Sequence, residues 1–179
     1  IHEYNPTVYI FRESGCTHYE KPFLYLILGR ERALLVDTGA GASDAATVVQ
    51  KLLKKKGSLP LVVMHSHLHG DHTAGDKGFE GMIQSQTGEL DLGGRIVDVI
   101  AIPGHEAAHV AFYDRTTAIL LTGDHLYPGR LYVADFAAYE ASTRKLVEFT
   151  ATRPVAHILG CHIEQSSTPF EAYPVGTRY

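Results

Sequence analysis

Three imidazoles and one carboxylate fall within six residues in His67-Leu68-His69-Gly70-Asp71-His72. Neutral ring nitrogens mixed with carboxylate oxygens suit zinc, with iron or manganese as the alternative metals. The apolar run Leu61-Val62-Val63-Met64 comes just before and reads as a buried strand. A tight loop at the end of that strand can aim His67 and His69 at one metal and Asp71 and His72 at another. The competing reading is a histidine-rich surface loop with no metal, which matching residues downstream disfavour.

Matching residues come in four further motifs, one upstream and three downstream: Val36-Asp37-Thr38-Gly39, then Pro103-Gly104-His105-Glu106-Ala107-Ala108-His109, Leu121-Thr122-Gly123-Asp124 and Leu159-Gly160-Cys161-His162. With the His-x-His-x-Asp-His loop they resemble, in type and in order, the signature of the metallo-β-lactamase superfamily. The resemblance covers nearly the whole chain. It implies an α/β (α+β) fold, the αββα sandwich of two mixed β-sheets with helices on the outer faces. It also implies two zinc ions per chain. One would take His67, His69, His105 and Asp124. The other would take Asp71, His72, Asp124 and His162, with Asp124 bridging. The donor chemistry agrees: histidines plus a shared carboxylate leave an open position on each metal, as a catalytic site requires.

The chemistry implied is hydrolysis of an ester, thioester, lactone or amide bond by a metal-bridging hydroxide, with Asp71 as the residue that aims it. Tyr127, three residues after Asp124, is similar to a tyrosine of the lactonase branch, where its hydroxyl faces the substrate carbonyl and adds an oxyanion contact. Asp124 stands where true β-lactamases usually carry Cys or Ser, so the glyoxalase II and lactonase-like branches are the nearer comparison. A glyoxalase II would normally add a C-terminal helical domain, and the chain ends 17 residues after His162. A flavo-diiron oxidoreductase would need Glu at the position of His69. The alternative on nearly the same ligands is a mononuclear iron dioxygenase acting on a thiol or persulfide. A binding domain that kept the fold without catalysis is disfavoured by the intact ligand set.

Other residues near these motifs have quieter readings. Asp37 can orient a ligating histidine or bond its own turn backbone. His109 and His125 read as packing or as support for ligands, and Cys161 as a packed small residue. His18 and Tyr19 lie in the loop after the first strand. Related enzymes use that loop as a flap, but a plain surface loop is the favoured reading.

The elements that must carry these residues are legible in outline. Thr7 to Arg12, Phe23 to Leu28 and Ala33 to Val36 read as strands, with a hairpin turn at Gly29 to Arg32. Ser43 can cap a helix to about Lys56, with Ala46, Val49 and Leu53 on one face, stopped by Gly57. Arg95 to Ile102, His109 to Tyr113 and Ala118 to Leu121 read as strands. Asp135 can cap a helix to about Thr150 with Phe136, Tyr139, Leu146 and Phe149 as core, and Val155 to Leu159 reads as a last buried strand. Only 32 residues separate His72 from His105, fewer than is usual in the family. This implies a compact variant with a more open site, or a segment absent between Gly78 and Ile83. The tail from Tyr173 to Tyr179 has no helix or strand pattern.

Composition bounds the rest. The 179 residues suit a single domain over 1–179, with 45% hydrophobic and 20% charged residues. The net charge of −4 and the lone basic run Lys54-Lys55-Lys56, placed at a helix end, argue against a nucleic-acid partner. No apolar run approaches the ~20 residues of a membrane span. The expected partner is a small-molecule substrate, and oligomeric state is silent. Cys16 and Cys161 form no disulfide framework. The compartment therefore stays open: cytoplasmic, or exported with a leader removed.

Overall fold

The computed structural model describes residues 1–179 apart from 15, 17, 165, 167, 169, 170, 172 and 175–179, so most of the C-terminal tail lies outside the described residues. In chain order the elements are β1 (His2–Asn5), β2 (Val8–Arg12), β3 (Phe23–Leu28), β4 (Ala33–Val36), α1 (Ala45–Lys55), β5 (Leu61–Met64) and the one-turn α2 (Gly70–Thr73). A 3₁₀ turn (Asp76–Phe79), β6 (Gly88–Asp91), β7 (Ile96–Ala101), β8 (Val110–Asp114), β9 (Ile119–Gly123), α3 (Phe136–Thr150) and β10 (His157–Gly160) follow. The chain divides into two compact units. The first is Ile1–His65, His69–Ser85 and Asp91–Arg95, and the second is Ser66–Leu68, Gln86–Leu90 and Ile96–Tyr179.

The first unit holds the sheet β1-β2-β3-β4-β5. β1 to β4 are antiparallel, and the expected hairpin joins β3 to β4, with Gly29 N–H donating to the Arg32 carbonyl at 3.0 Å. β5 joins β4 in parallel, Val36 beside Met64. A parallel neighbour cannot be reached by a tight turn, and α1 is the crossover. Val49 and Leu53 of α1 pack with Tyr9, Phe11, Leu26 and Leu35 in the core of this unit. The cap of α1 is Asp44, whose carboxylate accepts from Thr47 N–H at 3.0 Å, and not Ser43 as expected. Ser43 is diverted to a distant partner: its hydroxyl donates to the Glu13 carboxylate at 2.6 Å. Lys54 and Lys55 occupy the last turn, where cations meet the negative end of the helix dipole.

The second unit holds the sheet β10-β9-β8-β7-β6. β7, β8 and β9 pair antiparallel, and β10 lies parallel to β9 with α3 as the crossover. Leu146 of α3 packs with Ile102, Ala111, Tyr113 and Leu120. Asp135 caps α3 as expected, accepting from Ala138 N–H at 3.0 Å. Phe136 is not core: it is the first helical residue and 72% exposed. The position inside the helix is taken by Ser142, buried with its hydroxyl donating to the Pro103 carbonyl at 2.7 Å. The last strand begins at His157 rather than Val155 and is an edge strand with Ile158 exposed, not a buried one. β1 and β6 carry no strand pattern in sequence. Both are short, polar edge strands, which is how sheets protect their edges. The expected α/β class with two mixed sheets is what the chain forms. Among the described residues no helix is long and apolar enough to cross a membrane.

Candidate metal centre

In each unit the parallel strand pair brings two strand C-termini to the same end of its sheet, where αβ proteins collect functional side chains. In the first unit these ends lead into Asp37 and His65. In the second they lead into Asp124 and into Cys161 and His162.

The second unit gathers four of the expected ligands. His67 Nε2 lies 3.2 Å from His105 Nε2. Asp124 Oδ2 lies 4.0 Å from the first of these nitrogens and 3.6 Å from the second. The other carboxylate oxygen, Oδ1, is 3.4 Å from His162 Nε2. All four residues are buried. A tetrahedral zinc with bonds of about 2.0–2.1 Å holds its donors roughly 3.3 Å apart, so His67, His105 and Asp124 fit one ion. Ring orientation fits as well. His105 Nδ1 is 2.7 Å from the Tyr132 carbonyl, which only accepts, so the proton sits on Nδ1 and Nε2 presents its lone pair. His67 Nδ1 is 3.1 Å from the Ser66 hydroxyl. The lone pair of the buried His105 Nε2, facing a second ring nitrogen and a carboxylate, calls for a cation or a proton beside it. Gly104, in the Pro-Gly-His motif, has φ +139°, and a Cβ there would lie 2.4 Å from Tyr139 Cα. The His105 loop therefore approaches the backbone of α3 as only glycine allows.

The first unit holds the other expected ligands of the motif loop. His69 is the N-cap of α2, and its carbonyl accepts from His72 N–H at 3.0 Å. One turn of helix then sets Asp71 Oδ2 3.3 Å from His72 Nε2. His72 is fully buried, and its Nδ1 lies 2.9 Å from Asp37 Oδ2. Asp37 thus orients a histidine, the first of its two sequence readings. It does so with no solvent exposure and with φ +65°, a conformation rare for a residue with a side chain.

The remaining candidates are placed as follows. Tyr127 is buried, sets its ring edge-on to His162 at 5.5 Å, and donates its hydroxyl to the Arg130 carbonyl. Presenting that hydroxyl to a substrate requires giving up the loop bond. His125 is buried, stacks on Tyr139 at 4.2 Å and shares a hydrogen bond with Thr143 at 3.0 Å. Burial pushes it down to about 4, with electrostatic repulsion from His105 as a second cause, so it is neutral at pH 7. His109 packs against the His67 and His105 rings at 4.8 and 5.6 Å. Cys161 is buried, with its N–H donating to the Gly123 carbonyl at 3.1 Å. His18 stacks on the exposed Tyr19 at 5.1 Å. Sequence reasoning passes over the Tyr132 carbonyl behind His105, and over His65, whose ring lies between Asp37 at 3.9 Å and Asp76 at 3.2 Å. His65 sits two residues before His67, but no spacing rule pairs it with Asp76.

Comparison with known proteins agrees with these motifs. The family model described as the metallo-beta-lactamase superfamily matches residues 22–81 and 83–162. An atrochrysone carboxyl ACP thioesterase of Passalora fulva is 27% identical, over 67% of this chain and 42% of its own. A hydroxyacylglutathione hydrolase of Dechloromonas aromatica is 30% identical, over 69% of this chain and 52% of its own. The chain spans about half the length of such curated relatives. Among solved structures, a metallo-beta-lactamase from Pontibacter korlensis superposes with TM-score 0.70 at 18% identity, covering 88% of each chain. A structure of TMB-1 gives TM-score 0.72 at 17% identity, over 90% of this chain and 88% of its own. At that identity the likeness shows the fold, which is the αββα fold the motifs imply. With most of its length matched by the family model, the chain belongs to the metallo-β-lactamase superfamily.

Proposed function

We propose that the chain is a dinuclear zinc hydrolase cleaving an ester, thioester, lactone or amide bond. The observation that carries this reading is Asp124, buried, with one oxygen facing His67 and His105 and the other facing His162. We assign one ion to His67, His69, His105 and Asp124, and the other to Asp71, His72, Asp124 and His162. Bound there, two divalent ions supply Lewis acidity and a water acidified toward neutral pH. The chain's own groups do the rest. Asp71, partly exposed beside His72, accepts a hydrogen bond from the attacking water and aims it at the substrate carbonyl. The Tyr132 carbonyl and Asp37 hold the His105 and His72 rings with Nδ1 protonated and Nε2 facing the site. Tyr127 joins as an oxyanion donor once its hydroxyl leaves the Arg130 carbonyl. Thioesters come first among substrates, because relatives are named as a thioesterase and as hydroxyacylglutathione hydrolases.

Elemental analysis of protein purified without added metal tests the reading. Close to two zinc per chain, with turnover of acyl thioesters that stops when metal is chelated, supports it. Close to one iron with little zinc overturns it in favour of the mononuclear dioxygenase.

A further inference from the structure

α2, which carries Asp71 and His72, is a single turn, too short to be stable alone, and its N-cap makes no side-chain hydrogen bond. Its place is set by the turn that follows β4. Thr38 N–H donates to the His72 carbonyl at 2.9 Å, and Gly39 pairs in parallel with Thr73. A Cβ on Gly41 would lie 2.9 Å from the carbonyl oxygen of Ala74, the C-cap of α2. The turn has uncommon backbone: Asp37, Gly39 and Gly41 have φ of +65°, +87° and +71°. A segment in such conformations cannot continue a regular strand ladder, so its polar backbone groups need partners elsewhere.

Glu13 supplies them. It follows β2 directly and is only 6% exposed. One carboxylate oxygen accepts from the Ala40 N–H at 2.8 Å, and the other accepts from the Ser43 hydroxyl at 2.6 Å. A Cβ on Gly39 would lie 3.1 Å from Glu13 Cδ, so the carboxyl group also rests against the Gly39 backbone. Burying a carboxylate is costly, and hydrogen bonds to both of its oxygens offset that cost. An apolar side chain at this position would fill the space but leave both donors without an acceptor.

We propose that Glu13 is a positioning residue for the candidate metal centre. Its carboxylate clamps the segment 39–43, and through Thr38, Gly39 and Gly41 that segment sets α2, and with it Asp71 and His72. Glu13 acts through the turn and not on a reacting atom. The metal role of α2 rests on the function proposed above, whereas the hold on α2 can be read without any metal. Residues that orient ligands from behind typically change metal affinity by about 10–100-fold.

The test uses the full chain stripped of metal and follows backbone amide hydrogen exchange by NMR. The amides of His72 and Ala74, which donate to the His69 and Gly70 carbonyls, report the hold on α2. In Glu13→Ala they are expected to exchange at least about 10-fold faster, with the amides of β3 unchanged. Glu13→Gln keeps one acceptor and loses the other, so its expected change has the same sign and a smaller size. It carries the test if Glu13→Ala fails to fold. Native exchange of the α2 amides in a folded variant overturns the proposal. Equal acceleration in β3 also overturns it, because that marks a general loss of stability. Metal release to a chelator separates the two readings. Release at least about 10-fold faster in Glu13→Ala, and faster in His72→Ala, supports both. Faster release in His72→Ala alone overturns the positioning role at the metal centre. Release unchanged in both, with the α2 amides loosened in Glu13→Ala, removes the His72 ligand assignment and leaves the hold on α2 standing.

Discussion

The two units follow one plan and use it differently. Each runs antiparallel strands into a parallel pair joined by a crossover helix, β4-α1-β5 in the first and β9-α3-β10 in the second. Each places an aspartate directly after the first strand of that pair. In the first unit Asp37 turns inward at positive φ and supports a single histidine ring. In the second, Asp124 presents both oxygens to three imidazoles. The same strand-end geometry thus yields a carboxylate that holds one ring in the first unit and a carboxylate that faces several rings in the second. What differs is what stands opposite. A donor ring fixed by a short bond makes Asp37 a holder, and several outward lone pairs make Asp124 a candidate bridge.

That contrast can be broken most directly at the two aspartates. Asp124→Ala is expected to drop metal below one ion per chain and to cut kcat/KM on the order of 10³-fold, about 4 kcal/mol of lost transition-state stabilisation. Asp37→Asn is expected to cost about 10–100-fold and to retain most of the metal. Equal losses of metal in the two variants, read by elemental analysis, would erase the difference between ligand and support.

A steric pair comes next. Gly104→Ala in the second unit would meet the Tyr139 backbone, and Gly75→Ala in the first would meet the Thr38 carbonyl. Each is expected to destabilise by about 2–3 kcal/mol in urea unfolding. Only Gly75→Ala should also loosen the His72 ring, because Thr38 grips the His72 backbone.

His125 offers a pH test inside the second unit. The unfolded chain binds a proton at the ordinary value of 6.5, while the folded chain resists until about 4. Between those values the unfolded state holds more protons, so stability falls as pH drops through that window, by up to about 3 kcal/mol. The urea midpoint of the metal-free native chain should fall from pH 7 to pH 4.5, and that of His125→Asn should fall less. A native midpoint that does not move would deny the buried neutral ring.

The smallest effect belongs to Arg115, which pairs with Asp98 and Glu89 and is held above its ordinary range chiefly by Asp98. Arg115→Ala on this partly exposed surface is expected to cost less than about 1 kcal/mol and to leave activity unchanged. A larger loss in thermal unfolding would show that this cluster anchors the second sheet.

Legibility varied with how local the cause was. The strands β2 to β5 and β7 to β9 announce themselves as apolar runs, because their own side chains fill the core. The caps split instructively. Asp135 is read correctly from its neighbours, whereas Ser43 loses its cap role to Asp44 because Glu13, thirty residues earlier, takes its hydroxyl. Phe136 looks like core by periodicity but precedes the part of α3 that meets the sheet. The candidate ligands were legible because metal chemistry restricts residue types to a few donors at short spacing.

By itself, then, the amino-acid sequence determined which donors are present, the order in which they follow strands, and the family they belong to. Those properties are written into residue type and neighbour spacing. Tertiary structure alone decided which nitrogen of the His72 and His105 rings faces outward, and which aspartate holds one ring and which faces several. Such roles depend on pairings between residues tens of positions apart, where an ångström separates a hydrogen bond from none. No local pattern encodes that distance.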